Sequence, residues 1–216
     1  MTIDTLDRKN RPVYSSGVVA RNLPPSRERI IDSATTLMFR DGYEATGIQG
    51  VVDAAHVPRG SFFHHFPSKE HLGIVVLQRY ARASEQRQIA AFENEEQSPT
   101  ERLRSFFAAA NDRVIADDFT KGCLIGNFTL QLSNTSEPIR QALVQAADET
   151  IDRIGRVLQA AKDAGELDPD VDPAELAELI WSSWEGAVLR SKLSRTGHSL
   201  RSWETRVLGS LLRATS

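Results

Sequence analysis

Apolar residues recur every three or four positions along most of this chain, and nowhere do they alternate as a half-buried strand would require. After "PPS", Ile30, Ala34, Leu37 and Met38 share one face, with Ser26 placed to cap a helix and Gly42 to end it. A short second helix is predicted over 47–55, with Ile48, Val51, Val52 and Ala55 inward. "HVP" breaks the pattern, which resumes over 59–66 and stops at Pro67. Ser68 then caps a long helix from Lys69 to about Phe92.

The charged "ENEEQSP", 93–99, reads as a solvated connection. Beyond it Leu103, Phe106, Phe107, Ala110 and Val114 mark a helix, and "TKGCLIGNFTLQLSN" is a short apolar segment punctuated by glycine. "SEPIRQALVQAADETIDRIGRVLQAAKDAG" predicts a long amphipathic helix, with Pro138 in its first turn and Gly165 at its end. Two last helices are expected at about 173–195 and 199–213. The first 25 residues lack periodicity and read as a flexible arm, made basic by Arg8, Lys9, Arg11 and Arg21. The expected fold is all-α.

Composition adds little to that picture but excludes several classes. With 216 residues, 40% hydrophobic and 25% charged, the chain suits a soluble protein with a real core. No apolar run approaches the roughly 18 residues of a membrane helix, and the N-terminus has no apolar leader core. Cys123 is the single cysteine, so no internal disulfide forms, which fits a reducing cytoplasm. Net charge is −3, yet residues 1–92 carry 12 basic and 9 acidic side chains against 14 and 20 beyond. A mildly basic N-terminal part on an acidic remainder suggests local contact with an anion; chance partition explains it equally well.

The candidate chemistry sits in "HVPRGSFFHHF", 56–66, which holds three of the five histidines. Two short helices joined by a three-residue break, between two longer ones, form a helix-turn-helix pattern. At about 100° per residue, Phe62 and Phe66 form a buried stripe. Gly60, Ser61 and His64 then face outward, Phe63 and His65 lie on the flanks, and Arg59 projects from the amino end. Such a face, polar and partly bare, suits the DNA major groove. Lys69 and the free N–H groups after Ser68 make a phosphate site. A metal site fails on spacing, because no pair of histidines shares a helix face. Acid/base chemistry lacks a pocketed carboxylate partner, since Glu70 lies in a first helical turn.

"TGIQGVVDAAHVPRGSFFHHFPSKEHL", 46–72, resembles the DNA-binding signature of TetR-family transcriptional regulators, with similarity over about 26–86. Val57, Arg59, Gly60, Ser61, Phe62, His64, His65, Phe66, Lys69, Glu70 and Leu72 match it. His56 stands where the turn usually has Gly, Pro58 where it has a capping Ser, and Phe63 where a Tyr commonly offers its hydroxyl to phosphate. The resemblance implies DNA contacts from Thr46, Arg59, Gly60, Ser61, Phe63, His64 and Lys69, on a palindromic operator. It also implies a second domain, 87–216, that binds an effector and dimerises through its last two helices, with no cofactor or metal.

The residues of that part agree. Helix 173–195 is apolar over a wide arc, and Gly186 and Ala187 permit close approach. Trp181, Trp184 and Leu208 are expected at or directly behind a homodimer seam. "KGCLIGNF" and the segment from Gly165 to Leu193 resemble the subgroup that includes repressors of acrylate and N-ethylmaleimide resistance genes. Some of these respond to electrophiles through the cysteine that Cys123 matches; a buried, inert thiol is the equal alternative, and Lys121 is placed to lower its pKa. An effector pocket is expected between Phe106, Phe107 and Ala110 on one helix and Trp181 and Trp184 on another, with Asn111 and Asn127 as polar handles. The alternatives are an all-α enzyme or an interaction module that uses the C-terminal bundle without DNA.

Overall fold

The computed structural model describes residues 24–212, so nearly all of the basic arm expected over 1–25 lies outside the described residues. The described part is helical, in the order α1 (Ser26–Asp41), α2 (Ile48–Ala54), α3 (Arg59–His65), α4 (Lys69–Phe92), α5 (Pro99–Ala116), α6 (Leu124–Leu132), α7 (Glu137–Asp163) and α8 (Pro173–Ser194). The last expected helix is one rod of three parts: α9 (His198–Ser202), a π-helical stretch (Trp203–Leu208) and α10 (Gly209–Leu211). Periodicity at 3.6 residues could not announce the π stretch, whose Trp203 packs against Phe107.

Ile30, Ile31, Ala34 and Met38 of α1 pack with Val51, Val52, Phe62, Phe66 and Leu72 around the first three helices and the start of α4. Ser26 does not cap α1. It is the first helical residue, after Pro25, and its Oγ lies 2.8 Å from Nε2 of His65, tying the start of α1 to the end of α3. Ser68 caps α4 as its position predicts, its side chain accepting from the His71 N–H at 3.0 Å. The turn into α3 holds the one strain expected of it. His56 takes φ 52°, the left-handed region where glycine is at home, and His tolerates it better than most.

The remaining helices form a second layer in which α7 lies against α4, α5, α6 and α8. A capping box starts α5, with the Ser98 N–H donating to Glu101 at 2.9 Å. Glu166, from the end of α7, accepts there from the Thr100 N–H and hydroxyl, at 3.0 and 2.7 Å. Three contacts join the α6–α7 region to the first three helices and the start of α4. The Tyr43 N–H donates to Gln131 of α6 at 2.8 Å, Tyr43 meets Phe128 edge to face at 5.8 Å, and the Ser136 hydroxyl donates to Glu70 at 2.7 Å.

Candidate DNA interface and effector cavity

The outward face of α3 is as the wheel placed it. Phe62 and Phe66 are fully buried, while Arg59, Gly60, Phe63 and His64 are exposed and Ser61 is half-exposed. Phe63 has 53% of its surface in solvent, a large ring on a surface that carries few. A Cβ added at Gly60 meets no atom within 4 Å, so the space beside this backbone is open for a partner. Lys69 sits beside that face on α4. Its Nζ lies 4.2 Å from the centre of the Tyr43 ring and donates to the Glu44 carbonyl at 3.3 Å. Burial lowers its pKa, against the opposing pull of the Glu44 carboxylate.

Thr46, expected to face DNA, is buried instead, and its hydroxyl donates to the Gly42 carbonyl at 2.7 Å. It fixes the α1–α2 turn. Nothing local distinguishes the two roles, because a threonine before a short helix serves an outer contact or an inner turn equally well.

The region between α5 and α8 corrects the expected pocket. Phe107 meets Trp203 edge to face at 5.0 Å and Trp184 at a tilt at 5.9 Å, filling that space. Asn111 is no free handle. It accepts from the Trp184 indole N–H and donates to Glu204, both at 3.0 Å. Phe107, Asn111 and Trp184 therefore form a core rather than line a ligand site. Buried side chains from three elements needed a common filling, and helical phase alone does not report which faces fill it.

A cavity of about 470 Å³ does exist, one layer over, between α6, α7 and α8. Cys123, Asn127 and Trp181 line this different cavity, joined by Ile125, Val144, Ile151 and Leu189 as apolar wall. Its polar lining includes Glu185 and Lys192, residues the sequence reading passed over. A glutamate four places after Trp181, with Lys192 seven places further on the same arc, was the available signal.

Cys123 is buried before α6, with the Tyr80 hydroxyl donating to its Sγ at 3.5 Å. Lys121 does not activate it, being ion-paired with Asp117 at 2.6 Å. Burial first, and the nearby Glu185 carboxylate second, push the thiol well above its usual range, so it rests protonated. Glu185 itself is pushed up to about 7 by burial, from an ordinary 4.5, and its Oε1 is out of solvent with no hydrogen-bond partner. Lys192 is held at the other side, donating to Asn127 at 2.8 Å and to the Lys121 carbonyl at 3.1 Å.

The raised Glu185 pKa has a consequence for stability. A carboxyl whose folded value exceeds its unfolded one binds its proton more tightly in the folded state, so its contribution is intact below about 4.5 and is lost as pH rises through about 7. Glu185→Gln should therefore match the parent near pH 5 in urea unfolding and exceed it at pH 8, by up to about 3 kcal/mol. Parallel pH profiles for the two proteins would show that Glu185 ionises freely in the fold.

Among the described residues no group of three or more His, Cys, Asp and Glu side chains is placed to hold a metal, and no helix is long and apolar enough to cross a membrane. A helix-turn-helix with a bare outward face, carried beside a helical layer that encloses a cavity, defines a DNA-binding regulator of two functional parts. Residues 30–73 match the model of the bacterial regulatory proteins of the tetR family, and residues 99–206 match that of the tetracyclin repressor-like C-terminal domain. The chain belongs to the TetR family of transcriptional regulators. It is 32% identical over 191 residues to the HTH-type transcriptional repressor DhaR of Mycobacterium sp. (strain GP1), covering 88% of this chain and 94% of that one. It is also 32% identical over 188 residues to the transcriptional regulator AcuR of Cereibacter sphaeroides, covering 85% and 84%. Among solved structures, a regulatory protein TetR from Rhodobacter sphaeroides superposes with a TM-score of 0.81 at 31% identity, over 86% of this chain and 98% of that one.

Proposed function

We propose that this chain is a cytoplasmic, homodimeric repressor that leaves a palindromic operator when a small effector occupies the α6–α7–α8 cavity. The observation that carries DNA binding is the outward face of α3, with Arg59, Gly60, Ser61, Phe63 and His64 open to solvent beside Lys69. Arg59 and His64 reach base edges, Gly60 lets the backbone approach, and Lys69 neutralises a phosphate. Phe63 supplies apolar contact in place of a hydroxyl. Residues 26–86 make the DNA-binding part and 87–216 the effector and dimer part, with α4 crossing between them.

The contacts along α6 support a route for release. Cys123 and Asn127 at its amino half line the cavity, while Phe128 and Gln131 touch Tyr43, whose ring carries Lys69. A ligand that shifts α6 moves Tyr43 and with it the phosphate-binding lysine. It biases the equilibrium only in so far as it binds the two arrangements unequally. Reversible occupancy is favoured over modification of Cys123 in the resting protein, because the attacking species is a thiolate and burial beside Glu185 disfavours it.

The test is binding to operator duplexes selected from a random pool. Lys69→Ala should weaken binding to all sequences and reduce the salt slope by about 1. His64→Ala should change the preference at one base position, costing about 1–3 kcal/mol there. Parent-like binding by both variants would remove α3 and its neighbour from the interface.

A further inference from the structure

The cavity's polar groups are unequal in a way that bears on what it binds. Several of its donors are committed. Lys192 Nζ is engaged by Asn127 and the Lys121 carbonyl, the Asn127 amide N–H donates to the same carbonyl at 2.8 Å, and the Ser182 hydroxyl donates to Glu178 at 3.1 Å. One of its acceptors is not. Oε1 of Glu185 is buried and unpartnered, and Asp148 and Glu178 bring two more carboxylates to the lining against the single ammonium of Lys192. Gly126 makes this arrangement possible, since a Cβ there would collide with the other oxygen of Glu185. A buried acceptor left without a partner is costly, and the wall around it is apolar.

We infer that the cavity is built for an organic cation, an apolar body ending in a protonated amine whose N–H groups donate to Oε1 of Glu185. This rests on the reading of the cavity as the effector site and names the chemical class of the effector. An ammonium here gains a charge-assisted hydrogen bond in a low-dielectric setting and relieves the unpaired oxygen. A carboxylate ligand would meet three carboxyl groups against the single ammonium of Lys192. The groups facing Glu185 are Cys123 before α6, Tyr80 from α4 and, across the cavity, Asp148 of α7 and Lys192 of α8. Pairing with a cation would hold the Glu185 carboxyl ionised and draw its pKa down from about 7. Binding should therefore release a proton near neutral pH.

The experiment is calorimetry on the full-length chain with three probes of one shape: para-butylbenzylamine, para-butylbenzyl alcohol and para-butylbenzoate. The amine should bind at least about tenfold tighter than either of the others, with proton release that two buffers of different ionisation enthalpy reveal. Glu185→Gln should erase the amine's advantage while leaving the alcohol's affinity unchanged. Gly126→Ala, which displaces the carboxylate without removing it, should do the same to a lesser degree and guards against a folding defect in the first variant. Equal binding of all three probes, a preference for the benzoate, no binding by any, or an amine preference that survives Glu185→Gln would overturn the assignment. A gel shift with the operator, run on the same samples, separates the two readings. If the amine binds through Glu185 yet the operator stays bound, the ligand class stands and the effector role of the cavity falls.

Discussion

Gly60→Leu should make the protein slightly more stable and nearly abolish operator binding. The two effects have opposite signs because they come from different surfaces of the same short helix. Gly60 lies in α3 with no positive φ to satisfy and no atom within 4 Å of where a Cβ would stand, so the fold pays nothing for a side chain. Replacing glycine in a helix recovers up to about 1 kcal/mol of backbone entropy. The leucine then stands on the face between Arg59 and His64, where it keeps the α3 backbone from entering the groove. A loss of at least a hundredfold in operator affinity, or about 3 kcal/mol, is expected. Thermal unfolding and a salt-controlled binding titration measure the two halves. Tight operator binding by a stable Gly60→Leu protein would place the DNA on some other face.

The second large effect concerns assembly. Leu208, expected at or directly behind the dimer seam, is 0% exposed within one chain, so Leu208→Glu would disrupt the core and say nothing about association. The solvent-facing stripe of α8 is the better probe. Leu179 and Leu193 are 51% and 77% exposed, and they fall on one side of the helix with Ser182, Gly186 and Leu189, which also form the rim of the cavity. Large apolar side chains beside small residues suit close packing against a second copy of α8. The pair Leu179→Glu, Leu193→Glu should leave helix content unchanged and yield monomers by sedimentation, because it places unpaired charges in that seam. Operator affinity should fall at least about a hundredfold, since a palindrome is held by two copies of α3. A dimer that survives the double substitution would move the interface off α8.

How much of this was legible beforehand depends on how local each feature is. The boundaries of α3, α4 and α7, and the end of α1 at Gly42, follow from caps, breakers and the 3.6-residue period, all written within a few residues of the feature itself. The outward face of α3 was legible for the same reason, because one turn of helix fixes the directions of Phe62, Gly60 and His64 relative to one another. The left-handed turn at His56 was also visible, from a break of fixed length between two periodic stretches. The sequence therefore determined the helical class, the DNA-binding unit and the residues it turns to solvent. The cavity was decided by tertiary structure. Phe107, Trp184 and Trp203 come from α5, α8 and the last helix, and only their packing together reveals that they fill the space expected to be empty. Cys123, Asn127, Trp181 and Glu185 enclose the real cavity because α6 lies across α7 and α8 at a distance that no single helix encodes. A helix's own period states which way each side chain points. What it meets there depends on the volumes of neighbours far away in sequence, and close packing settles that only when the whole chain is folded.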